Sequence, residues 1–126
     1  EPGLRDEIVD LVRIHNQDGF IPTSPRTFLV EGDVRETLPA FLEAHPGLRI
    51  SLLHFDMDLY KPTRTALELL YPRVVSGGAV VFDEYGLIPW EGESRAVDEY
   101  FAEQGLSPRI QKFPFSTTPH GWFLKP

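Results

Sequence analysis

Apolar side chains recur at helical spacing in four segments of the chain. In residues 4–17 and 93–104 they return every three or four positions, with charged residues between them, and a glycine follows each segment. The same spacing predicts a helix over residues 62–70, opened by proline and threonine. A shorter helix is predicted over residues 38–42, and Thr37 is its expected cap.

Short, continuous apolar runs separate these helical segments. Residues 49–55 and 79–82 are apolar at nearly every position, which is typical of parallel strands buried on both faces. A shorter strand is predicted at residues 27–31, and residues 109–115 and 122–125 are expected to pair as an antiparallel hairpin. Because strands and helices alternate, the fold class is predicted to be α/β. We expect a mostly parallel sheet with that hairpin at its end and helices on both faces.

Composition excludes several classes of function. The net charge is −7, with acidic residues spread along the chain, which argues against DNA or RNA as a partner because nucleic-acid-binding domains carry basic surfaces. No cysteine is present, so disulfides and thiolate metal sites are excluded. No apolar run approaches the roughly 18 residues that span a bilayer, and no signal peptide opens the sequence. We expect a single cytoplasmic domain with no membrane partner.

Acidic residues follow the two apolar strands. Asp56 and Asp58 come after the first strand, and Asp83 and Glu84 come after the second. Ligands of open α/β sheets bind beyond the carboxyl ends of the strands, and neighbouring strands lie about 5 Å apart. If these two strands are neighbours, then Asp56, Asp83 and Glu84 converge, and their repulsion requires a cation or shared protons. Oxygen ligands suit Mg²⁺, Ca²⁺ or Mn²⁺.

Each of these residues also has a simpler interpretation. Carboxylates often follow strands because the chain enters solvent or caps a helix. Asp58 is either a general base for a substrate hydroxyl or a carboxylate stabilised by a helix dipole. His54 is expected to be packed and hydrogen-bonded rather than a ligand, and His120 is assigned to a turn. Tyr85 and Trp90 either line a substrate pocket or pack beneath a loop. The pattern alone leaves these alternatives open.

Three blocks of the sequence resemble one enzyme family. They are residues 53–63 (LHFDMDLYKPT), 77–86 (GGAVVFDEYG) and 92–99 (GESRAVDE), and residues 31–33 (EGD) agree with it further upstream. Together they resemble the macrocin O-methyltransferase (TylF-like) family, which methylates sugar hydroxyls of macrolides, aminocoumarins and related antibiotics. The resemblance covers residues 27–103.

The resemblance implies a Rossmann-like methyltransferase sheet, S-adenosylmethionine as the methyl donor, and Mg²⁺. It implies that Asp56, Asp83 and Glu84 hold the metal ion, with Glu84 standing where many relatives have a second aspartate. The catalytic base of relatives corresponds to Asp58. The implied substrate is a glycosylated small molecule. A catechol-type O-methyltransferase shares the implied fold and metal, and it is the second enzymatic hypothesis.

One part of the family pattern is missing from the chain. The glycine-rich loop after the family's first strand, and the acidic residue after its second, should precede residue 27. Residues 1–26 contain no Gly-x-Gly pattern. We therefore expect the carboxyl-terminal portion of a methyltransferase domain, inactive alone and with no residues assigned to the cofactor. Its unpaired strand edges favour a homo-oligomer or strand exchange. The hypothesis from another class is a non-catalytic methyltransferase-like module or partner subunit.

Overall fold

The computed structural model describes residues 3–18 and 24–126, and the chain divides into two compact units. The first unit, Glu1–Gly32, contains helix α1 (Leu4–Gln17), at the position predicted from its apolar spacing. The second unit, Asp33–Pro126, contains the following elements in chain order: α2 (Val34–Ala44), β1 (Ile50–Phe55), α3 (Tyr60–Leu70), a 3₁₀ turn (Tyr71–Arg73), β2 (Val74–Phe82), α4 (Glu91–Glu103), β3 (Gln111–Lys112) and β4 (Gly121–Leu124).

Residues 27–31 do not form the predicted strand. Within the first unit, the side-chain amide of Asn16 binds the backbone of Thr27, accepting from its N–H and donating to its carbonyl, both at 2.9 Å. In the described part of the chain, residues 27–31 pair with no strand. Strand propensity is insufficient here because the backbone N–H and C=O groups of a strand need a paired neighbour.

Helix α2 begins earlier than predicted, at a different cap. The carboxylate of Asp33 accepts a hydrogen bond from the Arg35 N–H at 2.9 Å, which makes Asp33 the N-cap. Thr37, the predicted cap, lies in the second turn, where its hydroxyl donates to the Asp33 carbonyl at 3.0 Å. The aspartate also gains from its negative charge at the positive end of the helix dipole. Pro39 consequently lies inside the helix.

Helices α3 and α4 confirm the helices predicted over residues 62–70 and 93–104, and each begins two residues earlier than predicted. They are joined by polar pairs: the Tyr60 hydroxyl donates to Glu99, and the Arg64 guanidinium binds Glu103. Gly105, with φ 66°, follows the end of α4 as predicted. None of the helices in the described ranges is long and apolar enough to cross a bilayer.

The four strands form one mixed sheet in the order β1-β2-β4-β3. Only β1 and β2 are parallel, whereas β4 runs antiparallel to both β2 and β3. The predicted terminal hairpin is confirmed in β3 and β4. The prediction of a mostly parallel sheet was wrong, because the hairpin supplies half of the strands and residues 27–31 supply none.

The sheet buries one of its faces. Leu53 of β1 pairs with Val80 of β2, which pairs with Phe123 of β4, and all three side chains are buried. Leu52, the neighbour of Leu53 on the opposite face, is 63% exposed. Helices α2, α3 and α4 share one hydrophobic cluster with the buried face. The predicted burial of β1 on both faces was therefore wrong, and within the second unit these helices cover a single face.

Candidate functional site

Asp56 and Asp83 leave the sheet side by side because the strands that precede them are paired. β1 and β2 run parallel, with Phe55 opposite Phe82 at their carboxyl ends. The pairing continues one step further, since the Asp83 N–H donates to the Phe55 carbonyl at 3.0 Å. The two acidic segments therefore emerge at the same edge of the sheet.

Asp58 occupies the centre of a tight turn between β1 and α3. Its φ is 56°, and across it the Leu59 N–H donates to the Met57 carbonyl at 2.5 Å. A three-residue turn with a positive φ at its centre is rare and strained, and aspartate and asparagine tolerate this region better than most residues. Among the non-glycine residues that the structure describes, only Asp58 has a positive φ. Strained backbone of this kind clusters at functional sites.

Glu84 lies within electrostatic reach of the other acidic residues. Burial is the main effect that raises the pKa of Glu84. The negative charges of Asp58, Asp83 and Asp56 raise that pKa further, in this order. Negative charges on both acidic segments therefore act on Glu84.

The acidic side chains are not gathered around one point. Across residues 3–18 and 24–126, no three histidine, aspartate or glutamate side chains are placed to hold a single metal ion. Asp83 instead has its Oδ1 atom 3.4 Å from Nε2 of His54. The oxygen donors of Asp56, Asp83 and Glu84 suit a hard divalent cation. Their side chains would have to move for all three to share one ion.

Two histidines border the acidic residues. The His54 side chain is 44% exposed and faces Asp83 on the open side of the sheet. The prediction that His54 is packed was therefore wrong. The His120 N–H lies 3.0 Å from the carbonyls of both Phe82 and Asp83, so it closes the end of β2. Nδ1 of His120 is buried and has no hydrogen-bond partner in the described structure.

Sequence reasoning missed a fifth acidic residue, Glu93. Its side chain is fully buried, and its Oε1 accepts a hydrogen bond from the Glu84 N–H at 2.9 Å. Burial raises the pKa of Glu93 to about 7, although the hydrogen bond from Glu84 opposes this effect. The periodicity of α4 carries a signal that could have found it. Glu93 precedes the buried residues Ala96 and Val97 by three and four positions, so it belongs to the inward stripe of the helix.

Helix α4 also holds the loop that follows β2. The Gly86 N–H donates to Oγ of Ser94 at 2.8 Å, and the Tyr85 hydroxyl donates to Oδ1 of Asp98 at 2.8 Å. Burial raises the pKa of Tyr85 to about 12, and the hydrogen bond to Asp98 adds to this effect. Tyr85 is half-buried and bound to α4, whereas Trp90 is 44% exposed.

Comparison with known proteins identifies the family to which the chain is similar. A family model described as Macrocin-O-methyltransferase (TylF) matches residues 18–118. The chain is 30% identical, over 89% of its length, to 8-demethyl-8-(2,3-dimethoxy-alpha-L-rhamnosyl)-tetracenomycin-C 4'-O-methyltransferase of Streptomyces olivaceus. It is 39% identical, over 63% of its length, to demethyldecarbamoylnovobiocin O-methyltransferase of Streptomyces niveus.

A solved structure agrees with these sequence matches. The apo structure of CalS11, a TDP-rhamnose 3'-O-methyltransferase of calicheamicin biosynthesis, matches 97% of this chain with a TM-score of 0.85 and 31% identity. The chain spans 52% of that protein, and 46% and 28% of the two curated relatives. The fold is therefore one found in methyltransferases, over a length that is about half of the solved relative.

Proposed function

Because the chain belongs to the macrocin O-methyltransferase (TylF) family, we propose that it forms part of an enzyme that methylates a sugar hydroxyl of a glycosylated natural product. Two of the three relatives named above act on rhamnose derivatives, so the proposed acceptor is a hydroxyl of a rhamnose-type sugar. One observation carries the proposal. Asp58, in its tight turn after β1, and the segment of Asp83 and Glu84 after β2 leave the paired strands at the same edge of the sheet.

The proposed methyl donor is S-adenosylmethionine, and Asp58 is the proposed general base. Methyl transfer joins the acceptor oxygen to the methyl carbon as the carbon–sulfur bond breaks, and the electron pair of that bond stays on sulfur. The hydroxyl proton passes to the Asp58 carboxylate. The tight turn supports this role, because a carboxylate on closely held backbone loses little freedom when it meets a substrate.

We further propose that Asp56, Asp83 and Glu84 bind a divalent cation, with Mg²⁺ suggested by the family resemblance. Two properties support this assignment: the donors are all oxygen atoms, and a cation would relieve the repulsion that contributes to the raised pKa of Glu84. A cation at this position would lower the pKa of a coordinated hydroxyl, which would assist its deprotonation.

Methyl transfer by a full-length protein that contains this chain tests the proposal. With radiolabelled S-adenosylmethionine, label is expected to enter rhamnosyl acceptors and not catechols. Asp58→Asn retains a residue that tolerates the turn but removes the base. Its kcat is therefore expected to fall by about 10²- to 10⁴-fold, with an unchanged melting temperature.

Glu43→Gln is the matched control, because Glu43 is an exposed carboxylate on α2 in the same unit. We expect this variant to keep the rate of the unmodified protein. Label in catechols alone would contradict the proposed acceptor, and full activity of Asp58→Asn would contradict the proposed base. If no acceptor is labelled, the chain belongs to a non-catalytic module.

A further inference from the structure

We propose that the first turn of α4 positions the two acidic segments, which contain Asp58 after β1 and Glu84 after β2. Gly92 holds the Asp58 turn by close backbone contact, and the buried carboxylate of Glu93 holds the backbone of Glu84. The effect of this positioning on catalysis rests on the proposed function, whereas the positioning of the two acidic segments does not. Two consecutive residues of one helix thereby connect the two acidic segments that leave β1 and β2.

Gly92 lies closer to the Asp58 turn than a residue with a Cβ atom could. A Cβ atom at Gly92 would lie 2.9 Å from the Asp58 carbonyl oxygen and 2.8 Å from the Tyr60 backbone nitrogen. Both neighbours are backbone atoms, so the turn itself would have to shift. Because a positive φ persists only where its surroundings enforce it, the Gly92 contact is part of what maintains the backbone of Asp58.

Glu93 acts on the other acidic segment. Its Oε1 accepts from the Glu84 N–H at 2.9 Å, and its Oε2 is buried with no hydrogen-bond partner in the described part of the chain. Burying a carboxylate close to other carboxylates costs free energy that an apolar side chain would avoid. Packing therefore does not explain a glutamate at this position, whereas the need for an acceptor opposite the Glu84 N–H does.

Two further contacts fix α4 against the same segments. Beside the Glu93 contact, Ser94 accepts from the Gly86 N–H at 2.8 Å. On the side of the Asp58 turn, the Arg95 guanidinium lies 4.3 Å from the centre of the Tyr60 ring. The helix is therefore anchored on both sides of the site, and a shift of its first turn would be transmitted to both acidic segments.

Gly92→Ala tests the contact with Asp58 in the full-length protein. The added methyl group is expected to lower kcat by about 100-fold, the effect of a displacement of about 1 Å, with the KM for S-adenosylmethionine unchanged. Gly47→Ala is the matched control, because a Cβ at Gly47 would meet no atom within 4 Å. Equal kcat values for the two variants would overturn the role of Gly92.

Two substitutions of Glu93 test its contact with the Glu84 N–H. They also test positioning if Gly92→Ala does not fold. Glutamine keeps an oxygen that can accept from the Glu84 N–H, whereas leucine does not. We expect Glu93→Gln to retain activity and Glu93→Leu to lose about tenfold or more in kcat. An equal loss in both variants would show that the negative charge is required, which would overturn positioning.

Amide hydrogen exchange separates this inference from the proposed function. In the same full-length variants, the Glu84 amide is expected to exchange faster in Glu93→Leu than in Glu93→Gln, because only leucine leaves that N–H without an acceptor. This result would support positioning even if no methyl transfer were found in the unmodified protein. Equal exchange rates at Glu84 would refute the positioning role of Glu93, whatever the enzyme assay gives.

Discussion

At the scale of single residues, Asp58 and Glu93 depart most from ordinary behaviour. Asp58 has left-handed backbone, which costs about 1–2 kcal/mol for an L-residue. Glu93 has a fully buried carboxylate that burial brings close to half protonation at neutral pH. Each residue costs the folded chain free energy. Asp58 belongs to the acidic segment after β1, and Glu93 contacts the one after β2. Their cost is consistent with a functional role.

Glu93 is expected to make stability depend on pH. Its pKa of about 7 in the folded chain exceeds the ordinary value of 4.5, so between these pH values the folded state holds a proton that the unfolded state has lost. The free energy of unfolding should therefore fall as pH rises from about 4.5 to 7, by up to about 3 kcal/mol, and then level off.

Chemical denaturation in buffer with EDTA, repeated between about pH 5 and pH 8, measures this effect. Glu93→Gln should reduce the slope of the pH profile, because the amide does not titrate. Glu91→Gln should keep the slope of the unmodified chain, since Glu91 is exposed. Parallel profiles for the unmodified chain and Glu93→Gln would rule out Glu93 as the source of the slope.

Mg²⁺ affinity is the second prediction at the residue scale. Isothermal titration of the chain should show that Asp56→Ala weakens Mg²⁺ binding, because it removes one of the three proposed carboxylate ligands. Glu43→Ala is the control, since Glu43 is exposed on α2 and outside the proposed ligand set. If Asp56→Ala binds Mg²⁺ as tightly as the unmodified chain, the proposed metal site is wrong.

At the scale of secondary-structure elements, β1 shows how burial depends on neighbours. Its sequence is apolar at almost every position, yet its residues alternate between a buried face and an open one. Leu53 lies in the hydrophobic cluster shared by the sheet and helices α2 to α4, whereas Leu52 points to the other side. The free energy gained from burial should therefore differ sharply between two adjacent leucines of the same strand.

Leucine-to-alanine substitutions at these two positions form a matched pair. Leu53→Ala should lower the free energy of unfolding by about 2–5 kcal/mol, because it leaves a cavity in the core. Leu52→Ala should change it by less than about 0.5 kcal/mol. Urea denaturation of the isolated chain measures both values, at a protein concentration low enough for sedimentation to show a monomer. Comparable losses at both positions would show that the outer face of β1 is also buried in solution.

At the scale of the whole molecule, the second unit leaves an edge and a face of its sheet open. β1 pairs with β2 on one side and has no strand on its other side within the described residues. Leu52, Ala79 and Leu124 occupy paired positions on the open face, and both leucines are more than half exposed. Unpaired strand edges beside apolar surface favour association with another chain.

Self-association of the isolated chain is therefore predicted. Sedimentation velocity should show a mass above the 14.3 kDa monomer that increases with protein concentration. Leu52→Lys should shift the chain toward monomer, because a charged side chain on an edge strand opposes pairing. Glu43→Lys, an exposed substitution on α2, should not have this effect. A monomer at every concentration would contradict the prediction.

Several elements and the main acidic residues could be predicted because the sequence patterns that indicate them involve only neighbouring residues. Periodicity located α1, α3 and α4, and the run before Asp56 located β1. Glu93 was missed because a buried carboxylate breaks the apolar pattern on which core assignment depends. Thr37 was preferred to Asp33 as a cap because both are suitable residue types, and only the folded backbone selects one.

The sequence by itself determined most of the elements, the family and the acidic residues that follow β1 and β2, because propensity, apolar period and motif are properties of neighbouring residues. The tertiary structure alone decided the mixed sheet, the single buried face of β1 and the absence of a strand at residues 27–31. It also decided the contacts of Gly92 and Glu93 with the acidic segments. The physical reason is the same in each case: strand pairing, burial and close backbone contact depend on residues that are distant in sequence.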